Sequence, residues 1–113
     1  MLYELTKGEK KVARAAIDKG LEASFIEGME NFEAIIKKWR DGKFASQKEA
    51  YHALYKAIDK KDNAIGNRYN SVTGGRYLMT VVGILRDGHI TEEDIDGFSD
   101  ETKKVVRRWM EVL

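Results

Sequence analysis

Residues 12–39, VARAAIDKGLEASFIEGMENFEAIIKKW, decide how this chain folds. Within them Val12, Ala16, Ile17, Leu21, Phe25, Met29, Phe32, Ile36 and Trp39 recur mainly at steps of three and four, the period of one helix face. Upstream, Thr6-Lys7-Gly8-Glu9 has the form of a capping box, with the Thr6 hydroxyl on an orphan backbone N–H and Glu9 reaching back. Downstream, Gly42 after Asp41 supplies the left-handed position that ends a helix. Gly20 and Gly28 interrupt the stretch, each costing about 1 kcal/mol against Ala, and both suit close approach of another helix. The predicted helix spans roughly 33 residues, or about 50 Å. A compact chain of this size has a radius of gyration near 13 Å. The helix therefore has to stand out from the rest as part of an elongated structure.

A second capping box, Ser46-Gln47-Lys48-Glu49, opens a second helix with Tyr51, Leu54, Ile58, Ile65 and Tyr69 as its stripe. The apolar turn expected near Lys61-Asp62 is missing, and a charged pair in such a seam is expensive unless it finds partners. Asn70 to Gly75 is the most broken stretch and predicts a turn. A third helix follows over about Arg76 to Arg86, stopped at Asp87-Gly88. Thr91-Glu92-Glu93-Asp94 caps a short turn containing Ile95, and Ser99 caps a last helix with Val105, Val106, Trp109 and Val112. No segment alternates like a strand. The expectation is an all-α fold in one domain, residues 1–113. Its first part, about 6–70, is a long antiparallel helical hairpin, and about 71–113 form a small helical head. Two helices alone cannot cover their apolar stripes, so a dimeric helical bundle is expected.

Composition narrows the function. The 113 residues carry 20 Lys and Arg against 19 Asp and Glu, a net charge of +1, so the basic surplus of a nucleic-acid binder is absent. Lys10-Lys11, Lys37-Lys38, Lys60-Lys61 and Arg107-Arg108 each lie beside acids and read as solvated faces. There are no prolines, which favours long uninterrupted helices, and no cysteines, which removes disulfides and thiolate chemistry. No secretory segment opens the chain and no apolar run is long enough to cross a membrane, so a cytoplasmic location is expected.

Catalytic and metal-binding patterns are equally sparse. His52 has no His or acid at i+3 or i+4, and His89 sits in a loop, so both read as surface or packing residues. Residues 87–94, DGHITEED, look like the back half of a calcium loop, but Gly83 and Leu85 occupy the first ligand positions. Gly74-Gly75 lacks a phosphate-loop frame. None of Ser24, Ser46, Ser71 and Ser99 sits in a nucleophile motif or beside a histidine in sequence. No enzyme activity and no cofactor are expected. A helix-turn-helix around Gly88 would present Glu92, Glu93, Asp94 and Asp96 to phosphate, which counts against a nucleic-acid-associated or operon regulator. A nucleotide-pyrophosphohydrolase-like hairpin would need paired acids on both helices. Glu27-Glu30 and Glu30-Glu33 have the spacing on the first, but the second has no match.

The second half carries a family resemblance. Ala64-Ile65, then Arg68-Tyr69, an apolar helix, and residues 85–98, LRDGHITEEDIDGF, before a charged last helix are together similar to the fluorescence recovery protein family of cyanobacteria and its relatives. The similarity covers about residues 46 to 110, and the long first helix agrees in length and position. The spacing from Tyr69 to Gly88 is one residue longer here. The resemblance implies an all-α homodimer of helical hairpins with small heads, binding a carotenoid-binding protein (the orange carotenoid protein) and speeding its return to the resting form. Such acceleration would come from differential binding to one state of that partner. It also implies interface positions. With Tyr69 on the family's Tyr, His52 stands where the family has Trp, Lys56 where it has Asp, and Asp62 where it has Arg. The hairpin candidates for dimer or partner contact are thus His52, Tyr55, Lys56, Asp62 and Tyr69, and those in the head are Tyr77, Leu78 and Met79. The acid and the base have exchanged signs together, which fits a Lys56–Asp62 pairing across a dimer two-fold as well as two unrelated surface charges.

Overall fold

A computed structural model describes residues 3–70 and 72–112. It is all-helical, with no strand among the described residues. Four α-helices follow in order: α1 over Lys7–Arg40, α2 over Gln47–Tyr69, α3 over Tyr77–Arg86 and α4 over Asp100–Val112. Short 3₁₀ turns at Gly74–Arg76 and Glu92–Ile95 lead into and out of α3. The turn expected over 70–75 includes Ser71, which lies outside the described residues.

The long first helix begins and ends where local chemistry dictates. The Thr6 hydroxyl accepts from the Glu9 N–H at 3.2 Å, and the Glu9 carboxylate accepts from the Thr6 N–H at 3.3 Å. Gly42 takes φ +69°, a conformation that costs glycine nothing because it lacks a Cβ. With 34 residues at about 1.5 Å each, α1 accounts for nearly the whole 55 Å long dimension of a molecule 24 Å across. The second cap differs from its expected form. Ser46 Oγ accepts from the Glu49 N–H at 3.1 Å, but the Glu49 carboxylate turns to the Ala45 N–H at 3.1 Å, one residue before the cap.

Helix α2 returns along α1. Trp39 Nε1 donates to Gln47 Oε1 at the far end, Lys61 meets Glu27 midway, and Tyr69 reaches Gly20 near the head. Around the first half of α1 pack α3, α4 and the 92–95 turn, and they make the core. Ala13, Ala16, Leu78, Val81, Val82, Ile84, Ile95, Phe98, Val106 and Trp109 are all buried there. The chain's start is tied to α4: Tyr3 Oη and Thr102 Oγ1 lie 3.0 Å apart, and Glu9 accepts from the Ser99 N–H at 3.2 Å.

One expectation about α1 is corrected. The stripe from Val12 to Trp39 is expected to be one helix face that meets its neighbours along its length. The buried line runs instead through small residues, Ala13, Ala16, Gly20, Ser24 and Gly28. Small side chains win those positions because other elements come too close for larger ones. A Cβ on Gly20 would lie 2.4 Å from Ile84 Cγ2 and 2.9 Å from the Tyr69 hydroxyl. The large residues of the stripe's second half lie outward, with Phe25 49% and Met29 67% exposed.

Candidate functional site

Two regions of the molecule hold side chains that a fold alone does not explain. One is a polar cleft where α1, α2 and the loop after α3 meet. The other is the outer face of the arm, meaning α1 beyond residue 24 together with α2.

The cleft encloses about 400 Å³ and is lined by Ser24, Glu27, Lys61, Arg68, Tyr69, Asp87 and His89, among others. Lys61 Nζ pairs with Glu27 Oε1 at 2.6 Å, and Arg68 pairs with Asp87. His89 Nε2 lies 3.1 Å from Glu27 Oε2, while its Nδ1 lies 3.3 Å from Ser24 Oγ. The carboxylate can only accept, so Nε2 carries the proton and, in neutral His89, Nδ1 accepts from the Ser24 hydroxyl. Hydrogen bonds from Lys61 and then His89 hold the Glu27 carboxyl below the usual range, against a smaller desolvation effect. Tyr69 Oη is buried here with no hydrogen-bond partner among the described residues.

This cleft answers the question posed by the missing apolar turn in α2. Lys61 occupies the α1-facing seam: its stem lies over Gly28, at 3.1 Å from where a Cβ would stand, and its ammonium pairs with Glu27. The stem covers apolar surface while the charge stays paired and wet at its tip. The trio Ser24–His89–Glu27 brings a serine beside a histidine that are 65 residues apart in sequence, which a motif search along the chain does not see. Ser24 is 3% exposed and sits in mid-helix, where neighbouring N–H groups are spent on helix bonds. The trio joins α1 to the loop after α3.

On the outer face the exposed large hydrophobic residues gather. Phe25, Ile26, Met29, Ile36 and Trp39 of α1 and Tyr51, Tyr55 and Ile58 of α2 are between 38% and 71% exposed. A groove of about 190 Å³ runs between the two helices, lined by Phe25, Met29, Phe32, Ile58, Asp62 and Ile65 among others.

The residues singled out from sequence divide between these regions. Tyr55 and Asp62 are on the outer face, both exposed. His52 and Lys56 are exposed on α2, His52 with its ring edge-on to Tyr51. Lys56 and Asp62 lie about 120° apart around the helix, and neither has an ion-pair partner among the described residues. Tyr69 turns inward to the cleft. In the head, the Tyr77 hydroxyl accepts from Arg14 Nε at 3.3 Å, with the guanidinium over the ring. Leu78 is corrected: it is 2% exposed and packs in the core, so it offers no surface to a partner. Met79 is half-buried against that core. Sequence reasoning missed Ser24, Glu27, Lys61 and Asp87 as a cluster, because their partners are distant along the chain.

No family model, curated protein or solved structure matches this chain. No group of three or more metal-ligating side chains occurs among the described residues, and no described helix is long and apolar enough to cross a membrane.

Proposed function

We propose that this chain is a non-enzymatic protein-binding regulator that works as a homodimer, in the manner of the fluorescence recovery family it resembles. Two helical hairpins pack their outer faces together as a bundle, leaving the heads at the ends to engage a second protein. The observation that carries this reading is the outer face of the arm. Eight large hydrophobic residues, from Phe25 to Ile58, are 38% or more exposed; Phe25, Met29 and Ile58 share one groove and Ile36, Trp39 and Tyr51 another, and exposed apolar surface on this scale marks an interaction surface. A two-helix arm has no third element of its own to cover it.

The partner in this reading is a protein whose two conformations differ in affinity for the regulator, because binding alone shifts such an equilibrium. A carotenoid-binding protein is the class the resemblance offers. The test has two stages. Light scattering across the micromolar range should return twice the 12.9 kDa chain mass, and a monomer mass throughout would end the reading. Added to a photoactivated carotenoid-binding protein, the dimer should shorten the return to the resting absorbance. An unchanged rate would remove that partner class.

A further inference from the structure

The seam on α2 is Tyr51, Tyr55, Ile58, Asp62 and Ile65, spaced four, three, four and three. Such spacing keeps one side of a helix against one neighbour. Asp62 is the polar exception. It lines an apolar groove with Phe25, Met29 and Ile58, and covering that groove would strip water from a carboxylate that has no cation partner among the described residues. That is costly unless the covering surface brings a donor. The same seam holds one: Tyr55, 60% exposed, carries a hydroxyl that donates.

We infer that a second copy of this chain covers the seam in an antiparallel register centred on Ile58, with the Tyr55 hydroxyl of each copy donating to Asp62 of the other. This rests on the dimer reading above and specifies its geometry. The seam is self-complementary about Ile58, as a two-fold interface requires. Tyr51 and Ile65 stand seven residues to either side, while Tyr55 and Asp62 stand three and four away, a mismatch of about 1.5 Å along the axis. Tyr55 and Asp62 also share one flank of the helix, within about 20°. Across an antiparallel two-fold each flank meets its own copy, so these two residues face one another. Lys56, on another flank, does not face Asp62 in this register. The acid then acts as polar seam residues do elsewhere, making one register better than its neighbours at some cost in raw stability.

The chain has no cysteine, which makes single-cysteine variants clean reporters. Oxidised Ile58→Cys should cross-link to itself as a dimer. Tyr51→Cys and Ile65→Cys should each stay uncross-linked alone and cross-link when mixed. In sedimentation equilibrium, Tyr55→Phe and Asp62→Ala should each weaken the dimer roughly tenfold per bond lost, or about a hundredfold for the symmetric pair. The double variant should be no weaker than the weaker single. Both residues are exposed, so circular dichroism should report unchanged helix. A solution dimer in which Tyr51→Cys or Ile65→Cys self-links, or in which the two losses multiply, would overturn the register while leaving dimerisation intact. A native chain that is monomeric throughout would overturn both.

Discussion

One helix, α1, runs through two regions that use it in opposite ways. In the head its buried side chains are small (Ala13, Ala16, Gly20), and α3 and α4 supply the bulk, with Ile84 fully buried and Trp109 8% exposed. In the arm its side chains are large (Phe25, Met29, Ile36, Trp39), and more than a third of each remains exposed. The same apolar periodicity thus serves a finished core at one end and an unfinished one at the other. The difference teaches that the head is where this chain's own stability resides, and that the arm's apolar surface is left uncovered by the chain's own elements.

Substitutions should separate the two regions, and the largest effect is expected in the core. Ile84→Ala should cost about 2–5 kcal/mol of unfolding free energy, because Ile84 is 0% exposed and meets α1 at Gly20. Urea unfolding at low fixed concentration measures it, and a loss below 1 kcal/mol would remove the head's special standing. Next comes the glycine pair. Gly20→Ala forces a Cβ against Ile84 and the Tyr69 hydroxyl and should cost about 1–3 kcal/mol. Gly28→Ala meets the flexible stem of Lys61 at 3.1 Å and the Phe32 ring at an ordinary 3.6 Å and should be near neutral. Equal costs at the two positions would erase the contrast.

Acid gives a third, smaller handle. Burial opposes ionisation of Glu9, but hydrogen bonds from Thr102, Ser99 and Thr6 outweigh it and hold its carboxyl below 4.5. Lys19 and the Thr91 N–H do the same for Asp94, below 3.8. A carboxyl whose folded pKa is depressed contributes stability that is complete above its unfolded pKa and drains away as pH falls through the folded value. Unfolding free energy should therefore fall below about pH 4.5, and Glu9→Gln should flatten that fall. An unchanged acid limb in the variant would show that the Glu9 bonds contribute nothing. The smallest effect on stability is expected from Met29→Ser on the arm, within about 0.5 kcal/mol for the monomer.

Much of the fold could be read along the chain because its signals are local. Thr6 with Glu9, Gly42 and Gly88 at positive φ, and Ser99 with the Thr102 N–H at 3.2 Å all involve residues within a turn of one another. What escaped was non-local. Ser24 meets His89 across 65 residues and Glu9 meets Ser99 across 90, and neither pair has a motif. Periodicity marked Phe25 and Met29 as apolar-face residues but carried no statement of what covers them, since a core stripe and an interface stripe have the same period. Lys61 looked like a flaw in the seam of α2 because its partner, Glu27, lies on the other helix.

The claim that the arm's outer face is built for a second copy is tested most directly by sedimentation equilibrium on the native chain beside Ile58→Glu. The native chain should have twice the 12.9 kDa mass, and the variant, with a charge at the seam's centre, should have the single mass with its helix content unchanged. A native chain of single mass throughout the micromolar range, or a variant that still dimerises as tightly, would contradict it.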